Sequence, residues 1–557
     1  MRTTTVGEFL IDRLKQIGIT EIIGVPGDFN LNFLEQVDEA EGIRFIGTCN
    51  ELNAAYAADG YARSRGVSAL LTTYGVGELS ALNGIAGAAA EHVPLISLAG
   101  SPPLYATEDR YDLHHTMADG DFQNMLDSIG QFTATAVRLS PMNAVVEIDR
   151  ALHTCLREKR PVHIQLPSDI SHLCIEVPEE PFSTRLPASD PERLEAAAKR
   201  VLELFSAAEH PVILADQDAA RHGFEPALQA FAEKTGTPYA HLNSGKGVMD
   251  EQHPLFLGTY NGAASTPQVK KAIEEADFLI TTTPRFIEVN SGGFTHNLPS
   301  STLDFGDQHV SIGKEHFLGI TVLELLDLLV ERVPAGQKVK EMEAPAVQEW
   351  KVEEAAELTQ ARLWPRMARF LKEDDVVVAE AGTSNIGMGP HRLPTGTRYI
   401  NSGIWGSIGF TLPATMGSQL AAPERRHLLF IGDGSFQMTV QELSTILRED
   451  LKPIIVLVNN RGYTIERFIL GMDSAYNDIQ NWSFGDLPKV FKPDTTMVSY
   501  QARTEGELEE ALAQIESSDV GAFLELHLDP KDAPAGLQSF GPMTADFDFG
   551  PRGPRNP

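Results

Sequence analysis

The chain has 557 residues, 42% of them hydrophobic, and 45 Lys and Arg against 77 Asp and Glu give a net charge of −32. That length allows roughly two to four domains with cores of their own, while the charge excludes nucleic acid and anionic membranes as partners, because phosphate binding needs clustered positive charge. Cys49, Cys155 and Cys174 show no metal spacing and cannot all pair, and neither a signal peptide nor a membrane-spanning run is visible, so a cytoplasmic setting is expected.

The first block opens with Thr5-x-x-Glu8, a capping box ahead of an amphipathic helix carrying Val6, Phe9, Leu10, Leu14 and Ile17. The strand-like EIIGV follows, then Asp28 in VPGDFN, by its setting a turn residue. Glu51 begins ELNAAYAADGYAR, whose alanines predict a closely packed helix. A glutamate in a first turn ordinarily serves as an electrostatic cap. ALLTTYGVG (with Thr73), PLISLAG and PVHIQLP read as further strands, and His114-His115 lie in the polar loop RYDLHHTMADGDF. By residue type alone, such a pair is a solvated turn or an incidental metal binder.

A polar, proline-bearing stretch at 177–192 reads as a linker. The second block carries PVILAD, DFLITTTP and STLDF as strands, and a second linker covers 334–348. The third holds DDVVVAEAG, the run Ala381-Gly382-Thr383-Ser384-Asn385-Ile386, IWGSIGF and GAFLELHL. The pattern predicts three doubly wound parallel-sheet α/β domains, at 1–183, 184–345 and 346–557.

The most specific signal is Gly432-Asp433-Gly434-Ser435 and, beyond the helix-like QMTVQELSTILRED, Asn459-Asn460. HLLFI leads into the first and PIIVLV into the second, runs that read as parallel strands buried on both faces and joined by a crossover helix. Ligands of such sheets bind outside the carboxyl ends of the strands, which would set Asp433 beside Asn460. One carboxylate, one amide oxygen and a backbone carbonyl suit a hard cation that leaves other positions to phosphate oxygens.

GDGS followed by NN resembles the diphosphate and magnesium motif of thiamine diphosphate (TPP) enzymes. The resemblance runs from VGEFLIDRLKQIG to about Asp532 and is closest to the 2-oxo-acid decarboxylases, above all the indolepyruvate and branched-chain groups. It implies pyrimidine-binding, central and diphosphate-binding domains, the cofactors TPP and Mg2+, and non-oxidative decarboxylation of a 2-oxo acid to an aldehyde through a C2-thiazolium enamine. Asp433, Asn460 and the Gly462 carbonyl would hold the metal. Glu51 would face N1′ of the aminopyrimidine, Gly406 would accept from its 4′-amino group, and Ile408 would wedge the cofactor into its bent form. Thr73, Gly382, Ser384, Gly432, Gly434, Ser435, Tyr463, Thr464 and Ile465 would complete the cofactor site. Asp28, Glu51, His114, His115 and Glu466 would be catalytic, managing protons beside the reactive carbon. The resemblance also implies that each cofactor bridges two subunits, hence a homodimer at least and usually a homotetramer.

Ala381, Asn385, Ile386 and Ile465 are the expected substrate pocket. Pyruvate-selective relatives place two bulky aromatics where Asn385-Ile386 stands, so a bulky aromatic, branched or long-chain 2-oxo acid is expected, with pyruvate the alternative. Missing methylenes shift such a preference only ~10–200-fold. The Asn385 amide needs a partner: an indole nitrogen, a polar substrate or water. GPMTADFDFGPRGPRNP is too rich in Gly and Pro to continue the C-terminal helix that closes the site in relatives. Asp218, Ala219 and Ala220 stand where some substrate-regulated relatives carry a cysteine, which predicts no thiol-based activation. The rival readings are an acetolactate-synthase-like carboligase, which the histidine pair argues against, a flavin-bearing oxidase, and a non-catalytic protein on the same scaffold.

Overall fold

A computed structural model describes residues 1–185, 187–300, 302–306, 309–336 and 350–556. The capping box forms: the Thr5 hydroxyl accepts from the Glu8 N–H at 3.2 Å, and the Glu8 carboxylate accepts from the Thr5 N–H at 2.9 Å. It launches the helix Val6–Gln16, which buries Val6, Phe9, Leu10 and Leu14. Six parallel strands follow in the spatial order Arg44–Gly47, Glu21–Gly24, Ser68–Thr73, Leu95–Ser101, Val162–Pro167 and Thr135–Arg138. The inner strands Ser68–Thr73 and Leu95–Ser101 are buried along their whole length, as unbroken apolar runs require in a sheet covered on both faces.

The central sheet has seven strands. Phe256–Thr259, Tyr239–His241, Pro211–Ala215, Phe278–Thr281 and Thr302–Phe305 run parallel. His309–Ile312 pairs antiparallel with Thr302–Phe305, and Glu315–Leu318 pairs antiparallel with His309–Ile312, the two-residue turn Gly313-Lys314 between them being too short for a parallel crossover. The third sheet is parallel throughout, in the order Arg398–Ile400, Val376–Ala379, His427–Gly432, Ile454–Asn459, Ala522–His527 and Val498–Ala502. Residues 178–190 form neither helix nor strand, Leu186 lying outside the described residues. Most of the second expected linker, and the boundary at 345, also lie outside them.

The first and third sheets share one core. The helix Glu51–Arg65 crosses the helix Thr411–Ala421, and Ala54, Ala57, Ala58 and Tyr61 pack with Leu412, Ala414 and Met416. A Cβ on Gly60 would lie 2.1 Å from the Ala414 carbonyl oxygen, and one on Gly417 would lie 1.7 Å from that of Ala57. The backbones touch, and any larger residue there would push the two units apart. The three cysteines are unpaired, and no helix among the described residues is long and apolar enough to cross a membrane.

Candidate active site

His427–Gly432 delivers Asp433, and the neighbouring strand Ile454–Asn459 delivers Asn460, with Gly432 opposite Val458 in register. Both therefore emerge at the carboxyl edge of the third sheet. The expected crossover helix is two helices, Asp433–Thr439 and Glu442–Arg448. The break falls at the β-branched Thr439-Val440 pair, where the Thr439 hydroxyl donates to the Gly409 carbonyl at 2.7 Å.

The Asp433 carboxylate is fully buried and accepts from the Gly434 N–H at 2.7 Å and the Arg461 N–H at 2.5 Å. No ion pair reaches it among the described residues, so burial pushes its carboxyl up to about 7 despite those N–H groups. One end of the Asn460 side-chain amide lies 3.3 Å from an Asp433 oxygen and 3.0 Å from the Gly462 carbonyl oxygen, and the other end lies 2.8 Å from the Thr464 hydroxyl. With its nitrogen turned to Asp433 and Gly462, the amide donates to both and accepts from Thr464, which satisfies every group when no cation is present. Turned the other way, the amide oxygen joins the carboxylate and the Gly462 carbonyl in a set of oxygens of the kind that bind Mg2+. A buried carboxylate without a counter-charge fits that ion.

Around this edge, Gly382 precedes the helix Thr383–Met388, in which Ser384 and Asn385 are buried. The Asn385 oxygen accepts from the Tyr399 hydroxyl at 2.8 Å and from the Asn401 amide at 3.2 Å. The partner expected from a ligand or water is supplied by the protein itself. Tyr463 leads into the helix Thr464–Ile469, which carries Thr464, Ile465 and Glu466. Although the Glu466 side chain still meets solvent, partial burial and then the Asp548 carboxylate raise its carboxyl above the usual range.

The expectation for the C-terminus is overturned. Ala535–Phe549 is a helix with Pro542 inside it, burying Leu537, Thr544 and Ala545. An interior proline costs about 3 kcal/mol of helix stability, and tertiary packing outweighs that cost. The helix lies on Thr464–Ile469, and a Cβ on its Gly536 would stand 3.0 Å from the Ile386 side chain. Asn556 ties the tail back, accepting from the Gly471 N–H at 2.7 Å and donating to the Arg467 carbonyl at 2.9 Å. The site therefore has a helical cover.

The second group stands at the carboxyl edge of the first sheet. Thr73 ends its strand buried, and its hydroxyl has no hydrogen-bond partner among the described residues. His114 Nε2 lies 2.8 Å from Asp28 Oδ2, Phe29 stacks on the His114 ring at 5.0 Å, and His115 meets that ring edge-on at 4.4 Å. A loop pair and a turn carboxylate thus form one cluster. Glu51 is half-buried, and it is Asn50 that caps the helix, accepting from the Asn53 N–H at 2.8 Å. The Glu51 carboxylate instead lies 3.4 Å from where a Cβ on Gly77 would stand. Among the described residues no hydrogen bond or ion pair joins Asp28, Glu51, His114 or His115 to Asp433, Asn460 or Glu466.

Gly406 is exposed and Ile408 half-buried in a loop held from the first sheet's side. Glu91 accepts from the Ile404 N–H at 2.7 Å and the Trp405 N–H at 3.0 Å, and the Tyr56 hydroxyl meets that of Ser407 at 2.5 Å. The sequence reading missed Glu91, which follows an alanine-rich helix and carries no motif. It also missed Glu380, buried at the end of Val376–Ala379, which accepts from the Thr411 hydroxyl at 2.5 Å and which burial pushes up to about 7. An acid closing the apolar run VVVA was the available signal. At the position compared with a regulatory cysteine, Asp218 faces His92 Nδ1 at 3.0 Å.

Three family descriptions match this chain: "Thiamine pyrophosphate enzyme, N-terminal TPP binding domain" at 4–130, its central domain at 198–329 and its C-terminal TPP binding domain at 380–526. An "Alpha-keto-acid decarboxylase" of Mycobacterium leprae is 40% identical over 545 residues, covering 95% of this chain and 94% of the relative. Proteins of the same description from Mycobacterium tuberculosis and Mycobacterium avium are 42% and 41% identical, each covering 91% of both chains.

Proposed function

The chain belongs to the thiamine diphosphate enzymes, within their 2-oxo-acid decarboxylase family, and from that premise we propose that it converts a bulky 2-oxo acid, aromatic, branched or long-chain, to the aldehyde and carbon dioxide. The observation that carries the reading is the convergence of the Asp433 carboxylate, the Asn460 amide and the Gly462 carbonyl at adjacent strand ends. When bound, TPP supplies a nucleophilic carbon and an electron sink.

The chain's residues do the rest. Asp433, Asn460 and the Gly462 carbonyl hold Mg2+, and Gly382, Ser384, Gly432, Gly434, Ser435, Tyr463, Thr464 and Ile465 shape the cradle for the diphosphate end. Glu51, in the first turn of a helix that Asn50 caps by hydrogen bond, holds a proton at the pyrimidine ring, with the Thr73 hydroxyl as a polar neighbour. Gly406 and Ile408 hold that ring in place. The Asp28 carboxylate orients the His114 imidazole, so that His114 and His115 move protons at the product carbon and oxygen. Glu466, with its raised pKa, serves as a further acid at the substrate.

With the Asn385 oxygen engaged by Tyr399 and Asn401, the pocket offers Ala381, Ile386 and Ile465 to the substrate tail, which favours an apolar one. The C-terminal helix over Ile386 keeps water out. The pyrimidine-binding, central and diphosphate-binding domains are assigned to 1–183, 184–345 and 346–557. A homodimer with shared sites, paired into a homotetramer, completes the reading. Val76 and Leu79 near Glu51, and Met438 shortly after Asp433, are exposed in the single chain, and a second chain would cover them. The test compares kcat/KM for phenylpyruvate and pyruvate with TPP and Mg2+ supplied. A phenylpyruvate preference is expected; a pyruvate preference overturns the substrate reading, and no aldehyde from either overturns the decarboxylase reading.

A further inference from the structure

Behind the His114-His115 loop runs a polar chain that the proposed chemistry does not use. Glu78 and His163 are both fully buried, a costly placement for two ionisable groups that a well-packed apolar pair often replaces without loss of stability. Glu78 Oε2 accepts from the Gly75 N–H at 2.7 Å, while Oε1 accepts from the Gln165 amide at 2.8 Å and stands 3.0 Å from His163 Nε2. His163 Nδ1 is in turn 3.0 Å from the Ser97 hydroxyl on the adjoining strand. On the other side, the Gln165 oxygen accepts from Arg138 Nε at 3.0 Å, and Arg138 donates to the Phe122 carbonyl. That carbonyl also accepts from the Tyr74 hydroxyl at 3.2 Å.

Gly75 and Phe122 bracket the histidines. Gly75 has a φ of +64°, and a Cβ there would lie 2.1 Å from the His115 carbonyl oxygen, so the loop backbone rests on the turn that Glu78 holds. His115 itself has a φ of 62°, which a residue bearing a side chain keeps only when its surroundings impose it. Phe122 packs with Phe29, Tyr74 and Met125, and Phe29 is the ring stacked on His114.

We propose that Glu78, backed by His163, Gln165 and Arg138, is a positioning residue that fixes the Gly75 turn and the Phe122 carbonyl and so sets His114 and His115 against Asp28. A carboxylate suits the task because its two oxygens take donors from a turn and from a neighbouring strand at once, locking helix start to sheet. The inference rests on reading His114 and His115 as proton-transfer groups.

The experiment measures kcat, melting temperature and TPP affinity for the holoenzyme carrying Glu78→Gln, Arg138→Met or His115→Gln, and for each of the first two combined with the third. Arg138→Met leaves the buried pair intact and keeps the test open should Glu78→Gln fail to fold. Each of the first two variants lowers kcat about 10- to 100-fold at a temperature where circular dichroism shows it folded, the scale of a misplacement of roughly 1 Å, with TPP affinity near wild type and a melting temperature lowered by the buried polar group each leaves unpaired. In the His115→Gln background each adds a smaller loss than it does alone, because one of the two groups being positioned is gone. An unchanged kcat, TPP affinity that falls in step with kcat, or losses that multiply in full in the double variants overturns the positioning role. If His115→Gln alone leaves kcat intact, the proton-transfer reading fails, and the inference falls with it for that separately visible reason.

Discussion

Replacing Asp433 with Asn separates what this residue does to stability from what it does to binding. Its folded pKa is about 7 against an ordinary value of 3.8, so its protonated form contributes stability that is present below pH 3.8 and lost as pH rises through about 7. About three pKa units correspond to about 4 kcal/mol against the ionised carboxylate. Asn carries no charge to bury, but its single oxygen cannot accept from both the Gly434 and Arg461 N–H groups. One unsatisfied donor costs about 1–3 kcal/mol. The net expectation at pH 8 is a cofactor-free variant more stable than the wild type by about 1–3 kcal/mol. The same variant loses stabilisation by Mg2+ and TPP, which for the wild type amounts to about 2.7 kcal/mol at a hundredfold excess over Kd. Urea denaturation at pH 5 and pH 8, with and without both ligands and at fixed protein concentration, reads both effects. A variant that still gains stability from Mg2+ and TPP, or that keeps the wild-type loss between pH 5 and pH 8, refutes the reasoning.

Glu380→Gln tests the same sign elsewhere: the Glu380 contribution is present below pH 4.5 and lost as pH rises through about 7, so the variant flattens the decline by about 3 kcal/mol in chemical denaturation. Asn385→Ala strands the Tyr399 hydroxyl and costs about 1–3 kcal/mol in stability, while the phenylpyruvate-to-pyruvate ratio of kcat/KM stays the same; an inverted ratio would show that the amide reads the substrate. Ending the chain at Pro534 removes the helix over Ile386 and Glu466, and kcat/KM falls at least ~10-fold with the fold intact by circular dichroism; unchanged kinetics would deny the helix a covering role. Cys49→Ser leaves the shape of the rate-against-substrate curve unchanged, and sigmoidal kinetics lost in this variant would restore thiol-based activation.

What the sequence determined by itself is local. The capping box at Thr5 and Glu8, the strands leading to Asp433 and Asn460, and the packing of the alanine helix follow from residue type and period, because each depends on neighbours a few positions away. The meeting of Asp433 and Asn460 was legible for the same reason, since a parallel register puts consecutive strand ends side by side. The joining of Asp28 to His114 and of Asn385 to Tyr399 needed tertiary structure, because those partners come from separate elements. So did the roles of Glu91 and Glu380, whose identities say nothing until burial and a backbone or hydroxyl donor give them one. The C-terminus shows the limit most sharply: Gly541 and Pro542 disfavour a helix locally, and the surfaces of Ile386 and the Glu466 helix, distant in the chain, impose one. Local propensity amounts to a few kcal/mol at most, and the burial of a helix face on a finished domain exceeds it.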